Sequence, residues 1–312
     1  MISLHPIELF VLALYFLGIE KGLRMNIAII GLGEVGRCYA APLYEAGHTL
    51  GLCEAHPSAA ATALAASMEL PIQERAGGWL SKADLVLSCV TGTTSLPVLA
   101  QVLPHLSKNA LLADFTTASP EVKREGAARA AEAGIRYVDT AIMGAISLNL
   151  VRTPLLVSGS GAEQLKELLE SAGARVQVIA GGKAGDAISL KILRSVFTKG
   201  MEALCVELLM SAEKQGVRSE LYEQLSDIDQ TPLRSFIDML VRTHVIHARR
   251  RAHEVHDVQS ELAAQGLPSV VMRGVEQRFN DTVDALSRRP LGIAEPTVDQ
   301  ALNWLLASAG GH

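Results

Sequence analysis

A glycine-rich stretch near the start of the sequence has the residue types and spacing that bind phosphate groups. Gly31, Gly33 and Gly36 follow the apolar run 26–30, and residues 37–46 have helical spacing. The first glycine permits a tight turn, the second lets the backbone approach a pyrophosphate, and the third lets helix and strand pack closely. The helix start adds free N–H groups and the positive end of its dipole. The pattern predicts a dinucleotide site, and an ordinary strand–turn–helix connection is the alternative. The predicted cofactor-binding residues in this loop are Gly31, Leu32, Gly33, Glu34, Val35 and Gly36.

An acidic residue supports this interpretation. Residues 48–53 are typical of a second strand, and Glu54 follows it directly. A carboxylate about 20 residues beyond the glycines accepts hydrogen bonds from ribose hydroxyls. Glu54 is therefore a predicted cofactor-binding residue.

The turns after later strands hold further candidates, because ligands of open α/β sheets bind beyond the carboxyl ends of the strands. Apolar strands are predicted near 83–90, 110–114 and 135–141. Hydroxyl groups in such turns also bond the local backbone, which is the alternative for the threonines. The cofactor candidates are Val90, Thr91 and Thr116, and the substrate candidates are Thr117, Met143 and Gly144.

A lysine lies near the start of a long apolar helix predicted over 184–213. Lys191, Ser195, Lys199 and Glu202 lie on one face of this helix. An ammonium among apolar residues needs an anion, a ligand or water, and desolvation lowers its pKa toward the range useful for proton transfer. A side chain that reaches solvent at the helix end is an equally good interpretation.

The order of these elements predicts the fold class. Strands and helices alternate over residues 26–182, which indicates an α/β domain with a Rossmann-type, doubly wound parallel sheet. Beyond this region only helices are predicted, and the helix over 184–213 is apolar on nearly all sides, which is typical of a buried helix. The predicted divisions are an N-terminal extension outside the fold (1–24), a dinucleotide-binding domain (25–183) and a helical substrate and dimerisation domain (184–312).

Composition excludes several classes of function. The chain has 312 residues, 49% hydrophobic and 20% charged, and a net charge of −5, which does not suggest a nucleic-acid partner. Its four cysteines are far apart and favour a reducing, cytoplasmic compartment over a disulfide framework. His244, His247, His253 and His256 lack a further ligand at a telling spacing, so no metal site is predicted.

The first 24 residues have an unusual composition. The apolar run 9–19 is too short to span a bilayer, and no basic segment precedes it. Met25 stands directly before the first strand, and we expect it to be the true start of the chain. A weak anchor at a membrane surface is the alternative, and no stable membrane insertion is expected.

Four motifs in a fixed order allow the sequence to be compared with a known family. They are Gly31–Gly36, the Thr116-Thr117-Ala118-Ser119-Pro120 segment, the segment from Asp139 to Gly144, and Gly185 followed by Lys191. Together they make the chain resemble the β-hydroxyacid dehydrogenase superfamily, which includes 6-phosphogluconate dehydrogenase and 3-hydroxyisobutyrate dehydrogenase. The resemblance covers residues 25–215 well.

The resemblance implies hydride transfer between a nicotinamide cofactor and a hydroxyacid-like alcohol or its carbonyl. The family's catalytic lysine falls on Lys191, which would serve as general base in oxidation and general acid in reduction. NADP-preferring relatives tend to place an arginine after the second strand, where this chain has Ala55 beside Glu54. NAD is therefore the expected cofactor and NADP the less favoured one. The resemblance also implies a homodimer that forms through the helical domain.

Three departures concern the substrate half of the family pattern. Met143-Gly144-Ala145 replaces Ser-Gly-Gly, Ser195 replaces an asparagine, and Ala187 replaces a glycine. We therefore expect a small-molecule substrate that is less acidic, bulkier or bound through other residues such as Arg152 or Lys199. Ser195 and Lys199 are predicted substrate-binding residues. Two alternatives stay open, namely an imine reductase and a nucleotide-binding regulatory protein without turnover.

Overall fold

The computed structural model describes residues 24–309. The predicted extension, residues 1–24, therefore lies outside the described residues except for Arg24. The expectation that the chain starts at Met25 also concerns residues outside the described part. Arg24 donates a hydrogen bond from Nε to Thr49 Oγ1 at 3.1 Å, beside the first strand. No helix within residues 24–309 has the length and apolar character needed to cross a membrane.

The first part of the chain forms one eight-stranded sheet with the order β3-β2-β1-β4-β5-β6-β7-β8. The order reverses beside β1, which is the arrangement that places ligands at the carboxyl ends of the strands. The strands are β1 (Asn26–Ile30), β2 (Thr49–Cys53), β3 (Ile72–Gln73), β4 (Leu85–Ser88), β5 (Leu111–Asp114), β6 (Arg136–Ile142), β7 (Pro154–Gly159) and β8 (Arg175–Val178).

Helices connect the strands and then continue alone to the end of the described chain. Those of the sheet region are α1 (Glu34–Glu45), α2 (Ala59–Ser67), α3 (Ser95–Val102), α4 (Pro120–Glu132), α5 (Ile146–Asn149) and α6 (Ala162–Ser171). The later helices are α7 (Asp186–Gln215), α8 (Arg218–Gln224), α9 (Ser226–Asp229), α10 (Leu233–Ala264), α11 (Val270–Arg288) and α12 (Val298–Ala309).

Both faces of the sheet are buried, which explains the near-continuous apolar runs of its strands. In β1, Ile27 and Ile29 belong to the core on one face, and Ala28 and Ile30 to the core on the other. Side chains alternate between faces along a strand, so only an apolar residue at every position fills both cores. The predicted α/β fold with a helical region after it is confirmed.

The sheet is not parallel throughout, in contrast to the prediction. Strand β7 runs antiparallel to β6, and β8 runs parallel to β7, so these two strands are reversed relative to the other six. Only residues 143–153 join β6 to β7, and they form short helical turns. A parallel neighbour needs a crossover of about a dozen residues or more, usually a full helix. The connection is thus too short for a parallel pairing.

The chain forms two compact units, of which the first ends at Arg194 and the second begins at Ser195. The second unit is helical, with a small core around Val245, Ala301 and Trp304. One long helix of this unit, α10, continues through the basic run Arg249-Arg250-Arg251. Arginine is a good helix former, and Arg250 pairs with Glu254 one turn later.

The prediction that the long helix is buried is wrong for the single chain. Helix α7 exposes many apolar side chains, among them Val196 (68%), Val206 (53%) and Met210 (54%). Its start is buried, since Ala187 and Ile188 pack inside the first unit. An apolar pattern on all sides predicts that a helix is shielded from solvent. It does not show whether another segment of the same chain or another chain covers the helix.

Candidate active site

The glycine loop between β1 and α1 has the geometry that its sequence predicts. Gly31 has φ +93°, and a Cβ there would lie 2.8 Å from the Cys89 carbonyl oxygen. A Cβ on Gly36 would lie 1.9 Å from the Gly31 carbonyl oxygen, so helix and loop are in direct backbone contact. By contrast, a Cβ on Gly33 would meet nothing within 4 Å. The backbone at Gly33 therefore faces open space at the start of α1.

Glu54 lies against this loop. Its Oε2 accepts a hydrogen bond from the Leu32 N–H at 2.9 Å, and its Oε1 accepts one from the His56 N–H at 3.1 Å. These bonds hold the carboxylate at the carboxyl end of β2, next to the glycine turn. A carboxylate has about four acceptor positions, so it can still bind ribose hydroxyls.

The turns after β4 and β5 are held together by backbone contacts. A Cβ on Gly92 would lie 3.0 Å from the Ala118 nitrogen, so the two turns touch. Thr91 Oγ1 bonds the Thr94 hydroxyl at 3.0 Å, and the buried Thr116 Oγ1 accepts from the Ala118 N–H at 3.3 Å. Both hydroxyls therefore have a hydrogen-bond partner within their own turn. Thr117 is exposed beside them, and Val90 is half-buried.

The start of helix α7 is anchored to the sheet. Asp139, on β6, accepts hydrogen bonds at Oδ2 from the N–H groups of Gly185 (3.1 Å) and Ile188 (3.0 Å). Ser158, on β7, accepts one from the Ala187 N–H at 3.1 Å. A carboxylate at a helix N-terminus binds the free N–H groups and interacts favourably with the helix dipole. This cap fixes the turn that precedes Lys191.

Lys191 lies just after this anchored turn and is half-buried. Burial lowers the pKa of its ammonium group, and the charge of Lys123 lowers it further, whereas Asp139 opposes them. A lysine whose pKa is lowered can exchange a proton nearer neutral pH than an ordinary lysine. Lys191 is thus partly desolvated, and the charges of Lys123 and Asp139 act on it in opposite directions.

A buried cluster of charges lies beneath these loops, and the sequence analysis missed it. Lys123, on α4, is 0% exposed. Its Nζ lies 3.1 Å from Asp114 Oδ1 and 3.3 Å from Asp139 Oδ1. Two features of the sequence could have indicated it. Lys123 shares the inner face of α4 with Gly126 and Ala130, and Asp114 ends a buried strand.

Of the remaining candidates, Met143 and Gly144 lie after β6 in the first unit. Met143 packs against Ala141, Leu156 and Ala187, so much of its side chain serves the core. Ser195 and Lys199 belong to the second unit, where both are exposed. The Lys199 ammonium pairs with Glu202 at 2.6 Å.

The loop fits a dinucleotide on structural grounds. Gly33 is the N-cap of α1, and no side chain of residues 24–309 caps this helix. The first N–H groups of the helix therefore remain for an anion, and the open space at Gly33 lets a pyrophosphate approach them. Glu54 stands where a ribose would follow.

Two family models match the sequence. Residues 26–181, half of the chain, match the NAD binding domain of 6-phosphogluconate dehydrogenase. Residues 212–282 match a domain of unknown function, DUF1932. The first match covers the sheet and the glycine loop, and the second lies within the helical unit.

The chain is also similar to individual proteins. The chain is 28% identical to an uncharacterized 28.5 kDa protein of Methanothermus fervidus, over 82% of this chain and 98% of that protein. It is 27% identical to 3-hydroxyisobutyrate dehydrogenase of Pseudomonas aeruginosa, over 64% of this chain and 70% of the enzyme. The solved imine reductase of Myxococcus stipitatus shares the fold, with a TM-score of 0.73 at 17% identity, over 91% of this chain and all of that one. With its NAD(P)-binding domain and four ordered motifs, the chain belongs to the β-hydroxyacid dehydrogenase superfamily.

Proposed function

We propose that this protein is an NAD-dependent oxidoreductase that interconverts a hydroxyacid-like alcohol and its carbonyl compound, with Lys191 as general acid and base. The observation that carries the proposal is Lys191 itself. It is half-buried, its pKa is lowered, and it follows a helix start that Asp139 fixes to the sheet. Such a lysine is a proton donor and acceptor held at a defined position.

Different residues of the chain bind the cofactor and transfer the proton in the proposed reaction. Bound nicotinamide would supply the hydride acceptor in oxidation and the hydride donor in reduction. The free N–H groups after Gly33 bind the pyrophosphate, and Glu54 orients the ribose. In oxidation, neutral Lys191 accepts the hydroxyl proton at Nζ. In reduction, charged Lys191 returns a proton from Nζ to the carbonyl oxygen.

NAD is the cofactor that the site favours. Glu54 is held by the Leu32 and His56 N–H groups, so its charge stays at the position of the ribose. A hydrogen bond to a charged group contributes about 1.5–3 kcal/mol, which corresponds to roughly ten- to hundredfold in affinity. A 2′-phosphate would lose that bond and meet a like charge.

The substrate should depend less on a carboxylate than the familiar hydroxyacids do. Met143 stands in the sequence where the family pattern has a serine, and its side chain packs against the core. Arg152 is exposed in the turn before β7 and carries no hydrogen bond to the described residues, so it remains available for an acidic group. This arrangement fits a bulkier or less acidic carbonyl compound, or an acid whose carboxylate binds Arg152 in place of a serine hydroxyl.

A panel of substrates tests the function and the cofactor together. Purified protein is given NADH or NADPH with 3-oxoacids, their esters, simple aldehydes and cyclic imines, and loss of reduced cofactor is followed by absorbance. We expect reduction of carbonyl compounds, with kcat/KM at least about tenfold higher for NADH. Turnover of imines alone would replace the proposal by imine reduction. Cofactor binding without any turnover would indicate a regulatory protein instead.

We also propose that the protein is a homodimer joined through its helical unit. Helix α7 exposes an apolar surface that includes Val206 and Met210, and the helical unit contributes further exposed leucine, isoleucine and valine side chains. Soluble monomers rarely expose large continuous apolar patches. A second copy presents the same surface, so a symmetric pair covers both at once.

The oligomeric state tests this pairing. We expect sedimentation to give a particle of two chains, and we expect Val206→Asp with Met210→Asp to give single chains, because burying two carboxylates in the pair is unfavourable. Arg249→Asp, at an exposed charged position of the same unit, is the control and should remain dimeric. A monomeric wild-type chain would contradict the proposal.

A further inference from the structure

The buried Lys123 is a feature that neither the glycine loop nor the lysine-based proton transfer uses. Its Nζ donates to the Asp114 carbonyl oxygen at 2.7 Å and lies between the Asp114 and Asp139 carboxylates. A fully buried ammonium is costly unless it is paired, and here it is paired twice. An apolar residue would fill the same space on α4 without that cost, so the charge itself calls for an explanation.

Each of the two carboxylates holds a different part of the candidate site. Asp114 Oδ1 accepts from the Thr116 N–H at 2.8 Å, and Asp114 Oδ2 accepts from the hydroxyls of Ser95 (3.0 Å) and Tyr137 (2.5 Å). Asp114 therefore shapes the turn after β5. Asp139 caps the start of α7 through its Oδ2, as described above.

The two carboxylates are also neighbours. Asp114 and Asp139 are paired in register on the adjacent strands β5 and β6, so their side chains leave the sheet on the same face. Like charges at this separation repel, and without a cation one carboxyl would hold a proton. Lys123 occupies the position that prevents this. Oδ1 of Asp139 has no hydrogen-bond partner among residues 24–309, and its contact with Lys123 is electrostatic.

The contacts continue from this cluster to Lys191. A Cβ on Gly185 would lie 2.9 Å from the Pro120 carbonyl oxygen, so the first residue of α4 touches the segment that leads into α7. Lys123 is one turn further along α4, and Ile188, which Asp139 binds, precedes Lys191 by one turn. The cluster is therefore the link between the turn after β5 and the helix turn that carries Lys191.

We propose that Lys123 is a positioning residue for the proton transfer: its ammonium joins Asp114 to Asp139 and thereby fixes Lys191 relative to the turns at the carboxyl edge of the sheet. This inference rests on the proposed function, because it assigns Lys123 a role toward Lys191 as general acid and base.

The electrostatics agree with this role. Burial would raise the pKa of Asp114, but the Lys123 charge and the hydrogen bonds from Tyr137 and Thr116 outweigh it and lower the pKa. Lys123 also lowers the pKa of Lys191, as a second cation near a catalytic amine does. The charged groups that act on Lys191 are thus Lys123 from α4 and Asp139 from β6.

Two variants distinguish a positioning role of Lys123 from a role in protein stability alone. Lys123→Met removes the ammonium and leaves two carboxylates without a cation, so it is expected to be unstable. Lys123→Met with Asp114→Asn removes one charge of each sign, leaves the Asp139 cap in place and is the variant on which the test depends. Lys108→Met, at an exposed lysine that precedes the amino end of β5, is the matched control.

The main measurement is independent of turnover. Lysines are dimethylated with ¹³C-formaldehyde, the Lys191 signal is assigned by its loss in Lys191→Arg, and its titration is followed by NMR. We expect the double variant to raise the pKa of Lys191, because the Lys123 charge that lowers it is removed, and Lys108→Met to leave it unchanged. The pH profile of kcat should move upward in the same direction as this titration.

The outcomes distinguish this inference from the proposed function. A folded double variant with the wild-type Lys191 titration and the wild-type pH profile of kcat would reduce Lys123 to a structural residue and overturn the inference. A shifted titration in a protein that turns over no substrate would remove the proposed function and still support the link between Lys123 and Lys191.

Discussion

We expect the Lys191→Ala variant to lose about 10²–10⁴-fold in kcat on the substrate that the panel identifies, because a positioned general acid or base contributes about that much. Its affinity for NAD should remain that of the wild type, since the glycine loop and Glu54 lie on other elements. The loss should appear in kcat rather than in KM, because proton transfer takes place in the transition state.

The pH dependence of the wild type gives this prediction a second measurement. In alcohol oxidation Lys191 must be neutral, so the rate should rise as pH increases through the pKa of Lys191 and then level off. In carbonyl reduction Lys191 must be charged, so the rate should fall over the same range. Burial and Lys123 lower this pKa, which brings both transitions below the usual range of lysine. Both transitions should disappear in Lys191→Ala.

A neighbouring lysine provides the control. Lys183 is exposed just before α7, and its backbone N–H bonds Asp186. Lys183→Ala keeps that bond and should retain wild-type kcat and the wild-type pH profile. Wild-type turnover by Lys191→Ala would remove the proposed mechanism, whatever the substrate is.

The sequence predicted the sheet well because its strands are defined locally. A strand covered on both faces needs consecutive apolar residues, and β1, β4 and β5 have them over residues 27–30, 85–87 and 111–113. The direction of β7 was not predicted, because it depends on where the short connection 143–153 leads the chain. The direction of a strand depends on the path of the whole chain, and no local sequence pattern indicates it.

The helical half shows a different limit. The apolar pattern of α7 was visible in the sequence and predicted a buried helix, but much of α7 is exposed in the single chain. Apolar residues indicate that a surface avoids water, and either the same chain or another copy satisfies that requirement.

In the candidate site, too, features that are local in sequence were predicted and features that depend on the fold were not. The glycine loop was predictable because its residues are adjacent in sequence and each glycine has a steric reason. The cluster of Lys123, Asp114 and Asp139 was not, because its members come from three elements and meet only in the folded sheet. A charged residue on the inner face of α4 was the local sign, and its partners could not be read from that helix alone.

The second large effect is expected at two glycines of the cofactor loop, which should respond differently to the same change. Gly33→Ala should fold with nearly unchanged stability, because its Cβ meets nothing within 4 Å and its φ of −65° suits alanine. The added methyl group would occupy the space through which a pyrophosphate approaches the start of α1. We therefore expect the affinity for NAD to fall at least about tenfold, a loss of about 1.4 kcal/mol.

Gly36→Ala should lose stability as well as binding. Its Cβ would lie 1.9 Å from the Gly31 carbonyl oxygen, a backbone atom that cannot turn aside, so α1 must move away from the loop. Such overpacking costs about 1–3 kcal/mol in the free energy of unfolding. Thermal unfolding without cofactor and titration with NAD measure the two quantities separately. A Gly33→Ala protein that binds NAD as tightly as the wild type would show that the pyrophosphate does not pass Gly33, and the dinucleotide would then have to lie elsewhere on the sheet.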